Sequence, residues 1–162
     1  IGSLYLVENY NYLTAMSLAR GSWIKKADYY KAFGKTNLPQ SRGEMNFFID
    51  AFFKVLIAGQ EDIIDYLNRN LDKLNRAEMC IEEDAGLNTK IKMSILFFLA
   101  QNYHFDDHSG IERRELMDFL DEDISEYKAA REFDELEKGG YIKRTKDRPI
   151  TYVLGESFIR RL

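Results

Sequence analysis

One cysteine, two prolines and two histidines in 162 residues leave little material for several kinds of chemistry. A lone Cys80 cannot close an intrachain disulfide. With no histidine or basic cluster beside it in the sequence, it reads as a structural residue and not as an activated thiol. That cysteine usage fits a reducing compartment, and a cytoplasmic location is expected. Long apolar runs are missing too. Ile95 to Ala100 is bounded closely by Lys92 and Gln101, far short of the roughly 18 residues a membrane-spanning helix needs, so no membrane partner is expected. No basic segment followed by an apolar stretch opens the chain, which argues against a signal peptide. The pattern Leu4-Tyr5-Leu6-Val7 reads as the opening of a piece of something longer. Positive charge is not in excess either. The net charge is -4, and division after Leu87 gives 10 basic and 12 acidic residues before it, 13 and 15 after it. A broad nonspecific nucleic-acid surface is thereby excluded, and any nucleic-acid contact must come from a local cluster.

What is present suffices for a packed core. Hydrophobic residues make up 45% of the chain and aromatics 14%, enough to fold without disulfides or metals. Leu4 to Arg20 reads as a first helix ended by Gly21, and Ser22 to Phe33 as a second, with Gly34 to Ser41 a loop. Ser41-Arg42-Gly43-Glu44 has the form of a capping box. Behind it Met45, Ile49, Phe52, Leu56, Ile63, Leu67, Leu71 and Leu74 recur at three, four or seven residues, the pattern of a long helix with an apolar seam that could also join two copies. Gly59 is expected to weaken or bend that helix. Residues 82-88 are acidic and lack large aromatics, and are read as a linker between a helical bundle, 1-81, and a second domain, 89-162.

In the second domain Thr89 to Tyr103 reads as a helix, Ser109-Gly110-Ile111-Glu112 as a capping box opening a short helix to Leu120, and Asp121 to Ser125 as a polar turn with Ile124 as its apolar plug. Glu126 to Lys138 follows as a helix, stopped by Gly139-Gly140. Tyr141 to Arg144 and Ile150 to Leu154 are β-rich runs joined by Thr145 to Pro149. Helix, helix, turn, helix and hairpin is the order of a winged helix-turn-helix. The expected fold is therefore mainly α, a helical bundle plus a winged helix-turn-helix with a small β-hairpin.

Leu4-Tyr5-Leu6, Ala27-Asp28-Tyr29-Tyr30-Lys31-Ala32-Phe33, and Arg42-Gly43-Glu44-Met45-Asn46-Phe47-Phe48-Ile49-Asp50-Ala51-Phe52-Phe53 resemble the C-terminal part of the Fic domain, the family named for filamentation induced by cyclic AMP. Many of its members continue into a winged helix. The family's catalytic signature, His-Pro-Phe-x-x-Gly-Asn-Gly-Arg, normally precedes the region resembled. Here only His104 and His108 occur, without the glycines, asparagine and arginine, so no catalytic residue carries over and this chain is not itself expected to be an enzyme. The resemblance implies a parent protein that transfers AMP from ATP to a hydroxyl of another protein. The chain at hand would be its noncatalytic tail, with no cofactor of its own and no match to the family's inhibitory helix.

Three sets of residues bear on binding. Helix three of a winged helix commonly enters the major groove, which would direct Tyr127, Lys128 and Arg131 to bases and Lys143, Arg144, Lys146 and Arg148 to phosphates. Glu126, Glu132, Asp134, Glu135 and Glu137 on the same helix, with Asp121-Glu122-Asp123 at its entrance, oppose a phosphate backbone. A protein partner, the absent catalytic part included, is the alternative to DNA, and an ordinary salt-bridged surface the third reading. His104 and His108 with Asp106 and Asp107 have zinc-binding residue types, but loop placement and the lack of a nearby cysteine argue against a metal. Paired carboxylates such as Glu82-Glu83 read as solvated surface.

Overall fold

The structure, a computed structural model, describes residues 2-42, 44-106, 108-120 and 124-162. The chain is mainly helical with one small antiparallel sheet. Its contacts gather into two compact units, Ile1–Asn68 and Arg69–Leu162.

In the first unit α1 (Gly2–Asn9) and α2 (Tyr12–Ile24) replace the single expected helix. The break lies at Asn11, whose side chain accepts a 2.8 Å hydrogen bond from the Thr14 amide and so starts a new helix. Gly21 does not end α2 but lies within it, and α3 (Lys26–Thr36) follows after the single residue Lys25. The reason is packing. A Cβ on Gly21 would sit 1.8 Å from the Val55 carbonyl oxygen, and one on Gly59 would sit 1.9 Å from that of Ser17. The two glycines let the backbones of α2 and α4 (Asn46–Glu82) touch. Gly59 is a contact residue in an unbroken helix, not a point of weakness. Arg20 Nε bonds Asp62 at 2.6 Å across the same pair of helices.

The box expected at 41-44 does not form. Ser41 Oγ donates to the Lys35 carbonyl at 2.6 Å, Glu44 accepts from Asn46 Nδ2 at 2.9 Å, and α4 starts only at Asn46. Gly43 lies outside the described residues. Leu6, Ala15, Leu18 and Val55 form the buried apolar cluster of this unit, with Tyr29, Phe52 and Leu56 packed on it.

In the second unit the end of α4 is joined by α5 (Lys90–Phe105), β1 (Ile111–Glu112), α6 (Arg113–Asp118), α7 (Glu126–Lys138), β2 (Ile142–Asp147), β3 (Ile150–Leu154) and α8 (Glu156–Ile159). The sheet order is β1-β3-β2, antiparallel throughout. Thr89 and Ser125 cap α5 and α7 by accepting from the Lys92 and Lys128 amides. Of the turn expected at 121-125, residues 121-123 lie outside the described set, while Ile124 packs against the core as expected.

The second capping box gives way to a strand, because Ile111 and Glu112 pair with Tyr152 and Thr151. Gly110, at φ 82°, makes the close approach to β3 possible, since a Cβ there would meet the Tyr152 carbonyl oxygen at 2.6 Å. The core joins Leu74, Ala77 and Ile81 of α4 to Ile95, Leu96 and Leu99 of α5, Phe133 and Leu136 of α7, Tyr152 and Leu154 of β3 and Phe158 of α8. Residues 82-88, expected to be a linker, belong to this unit, and Leu87 is buried in its core.

Candidate recognition surface

Helix α7 is amphipathic, and its buried face decides where its polar side chains go. Ala129, Glu132, Phe133 and Leu136 are buried, which turns Tyr127, Lys128 and Arg131 outward. Tyr127 is 85% exposed at the start of the helix. An aromatic ring so fully in water gains nothing from intramolecular packing.

The cations of this region divide into two groups. Arg131 Nε lies 3.0 Å from Glu135, and the other oxygen of Glu135 takes the buried Lys92 Nζ at 2.7 Å. Lys92 also reaches Glu132 at 3.6 Å, and Glu132 accepts from Thr89 Oγ1 at 3.0 Å. The hydrogen bond to Glu135 raises the Lys92 pKa against the opposing cost of burial, and the Lys92 and Arg131 bonds lower that of Glu135. Arg144 is similarly engaged. It bonds Glu137 at 3.2 Å, approaches Asp147 at 3.7 Å, and lies 5.9 Å above the ring of Tyr152. Tyr152 in turn stacks on Phe133 with centroids 5.0 Å apart, and the Arg113 guanidinium lies 5.5 Å from the centre of the Phe133 ring. Lys128, Lys143, Lys146 and Arg148 are exposed and make no ion pair among the described residues.

An open cleft of about 670 Å³ lies between α6, the first turn of α7 and the β2-β3 turn, lined by Glu112, Arg113, Arg114, Met117, Asp118, Glu126, Pro149 and Ile150. It brings the start of the exposed helix and the tip of the hairpin to one place, with charges of both signs around its rim.

Two polar clusters were not foreseen. One is the Lys92 network, signalled in the sequence only by a lysine inside the apolar run of α5. The other is Asp84, which accepts from Arg161, from Tyr141 Oη at 2.9 Å and from the Gly86 amide at 2.8 Å. The Arg161 bond chiefly holds the Asp84 carboxyl below its ordinary range, and burial raises the Tyr141 phenol. Separations of 57 and 77 residues hide such a cluster from local pattern reading.

His104 is half-buried with Nε2 unpaired among the described residues, and burial lowers its pKa. Asp106 accepts from Asn102 at 2.9 Å, Asp107 lies outside the described set, and no group of three or more metal-ligating side chains occurs among the described residues. Cys80 Sγ faces the Arg161 carbonyl at 3.4 Å. No described helix is long and apolar enough to cross a membrane. Comparison of the chain with protein-family models, with curated proteins and with solved structures returns no match.

Proposed function

We propose that this chain is the noncatalytic C-terminal regulatory and recognition region of a Fic-like protein, and that its second unit is a winged helix that engages a protein partner. The element order α5-β1-α6-α7-β2-β3 supports the winged-helix reading. The observation that carries the choice of partner is the state of α7 and the hairpin. Arg131 and Arg144 are held by Glu135, Glu137 and Asp147, while Tyr127 stands in water. A mixed-charge helix with a bare aromatic at its tip suits a protein surface, where tyrosine anchors contribute heavily, better than a phosphate backbone. The parent is read as a protein adenylyltransferase that uses ATP; the AMP-transferring residues belong to that other part.

DNA binding is the second reading, favoured by Lys128, Lys143, Lys146 and Arg148, which make no ion pair among the described residues. Fluorescence anisotropy with mixed-sequence duplexes at about 50 mM salt separates the two. Flat titrations are expected. A salt-sensitive signal abolished by neutralising those four side chains would transfer the function to DNA. The coding sequence ahead of Ile1 tests the parent. A His-Pro-Phe-x-x-Gly-Asn-Gly-Arg signature is expected there, and an upstream domain without it ends the adenylyltransferase reading.

A further inference from the structure

In the first unit, α4 meets α2 along Val55, Gly59 and Asp62. These residues are spaced by four and three and lie on one face of the helix. The opposite face carries Ile49, Phe53, Ile57, Gln60, Ile64 and Leu67, also spaced by three and four. The row read from sequence divides between two faces: its Phe52 and Leu56 pack inward, while its Ile49 and Leu67 fall on this open stripe with Phe53, Ile57 and Ile64. Ile49, Phe53, Ile57, Ile64 and Leu67 are each between 41% and 55% exposed, all on a single straight stripe.

We infer that this stripe is the interface for a second copy of the chain, paired helix to helix. From Phe53 to Leu67 the spacing is 4-3-4-3, the repeat that keeps one side of a helix against a partner helix over its whole length. The stripe contains no charged side chain. Gln60, its single polar member, both donates and accepts, so it can pair within a self-complementary interface. Fully covered, the five half-exposed residues contribute at most about 500 Å² per copy and about 1,000 Å² in the pair, the lower bound for a specific interface, to which the flanking Lys54 and Glu61 add. The inference does not depend on the Fic-like reading, since it rests on α4 alone.

Sedimentation equilibrium of the full chain between about 1 and 100 µM tests it. A mass of twice 19.0 kDa is expected at the upper end. Ile57→Glu with Ile64→Glu should return the monomer with helical circular dichroism retained, and Leu13→Glu with Met16→Glu, on the exposed side of α2, should leave the dimer in place. Because the charged variants could unfold the unit, Gln60→Leu supplies a second arm. It fills the one polar gap in the stripe and should tighten the dimer about tenfold. A strict monomer at every concentration overturns the inference, and so does a dimer indifferent to Ile57, Ile64 and Gln60.

Discussion

At Gly59 an added methyl would lie 1.9 Å from the Ser17 carbonyl oxygen, and the atom in the way belongs to a helix backbone that cannot swing aside. Gly34, inside α3, has nothing within 4 Å of its added methyl. The same substitution should therefore have opposite signs at the two positions. Gly59→Ala is expected to destabilise the first unit by about 2 kcal/mol or more through overpacking. Gly34→Ala should stabilise it by about 0.5-1 kcal/mol through helix propensity. Urea midpoints decide this, and equal shifts of one sign would refute the close-packing account of α2 and α4.

Asp84 gives a second prediction at this scale. Its carboxyl titrates below the ordinary value because Arg161, the Gly86 amide and Tyr141 all donate to it. The stability it contributes is therefore present above its unfolded-state pKa and lost as pH falls through the folded one. Asp84→Asn should lower the urea midpoint at pH 7, and the gap from the unsubstituted chain should narrow as pH falls below the ordinary carboxylate range. A gap that stays constant with pH would show that the carboxylate charge is not what the cluster uses.

At the scale of elements, the sequence was most informative where the cause of an element lies within a few residues. Thr89 and Ser125 cap their helices, Gly139-Gly140 ends α7, and the β-rich runs pair as a hairpin. It was least informative where a distant partner decides. Gly21 looks like a helix stop until α4 arrives beside it, and Ser109 to Glu112 looks like a capping box until β3 takes Ile111 as a strand. An α4 seam able to join two copies was legible, but of the exposed stripe only Ile49 and Leu67 were read into it; Phe53, Ile57 and Ile64 were not, because Phe52 and Leu56 have the same apolar character and only packing within the first unit separates the rows. Among the candidate site residues, the outward placement of Tyr127, Lys128 and Arg131 could be read from the period of α7. The capture of Arg144 by Glu137 and Tyr152 could not.

Lys92 ties α5 to α7 and tests that element contact directly. Lys92→Met keeps the apolar stem and removes the ammonium, which strands buried Glu132 with Thr89 as its only hydrogen-bonding partner among the described residues. A loss on the order of 2 kcal/mol is expected, less than for a fully enclosed pair because water reaches Glu135. The triple variant with Glu132→Gln and Glu135→Gln should recover part of it. No recovery would place the effect in packing and not in charge.

For the whole molecule, two units with separate apolar clusters predict separate unfolding. The buried cluster of the first unit rests on Leu6, Ala15, Leu18 and Val55, against the far larger core of the second, so the first should open at lower urea. Its stability should also carry the dimer. A second copy bound to the folded α4 stripe stabilises only the unit that bears it, so the first transition should move to higher urea as protein concentration rises while the second stays fixed. Hydrogen exchange followed separately in α2 and α5 reads both transitions in one sample. Coincident opening in both helices would mean that the units unfold as one, and two transitions independent of concentration would separate the division into units, which would stand, from the pairing of α4, which would not.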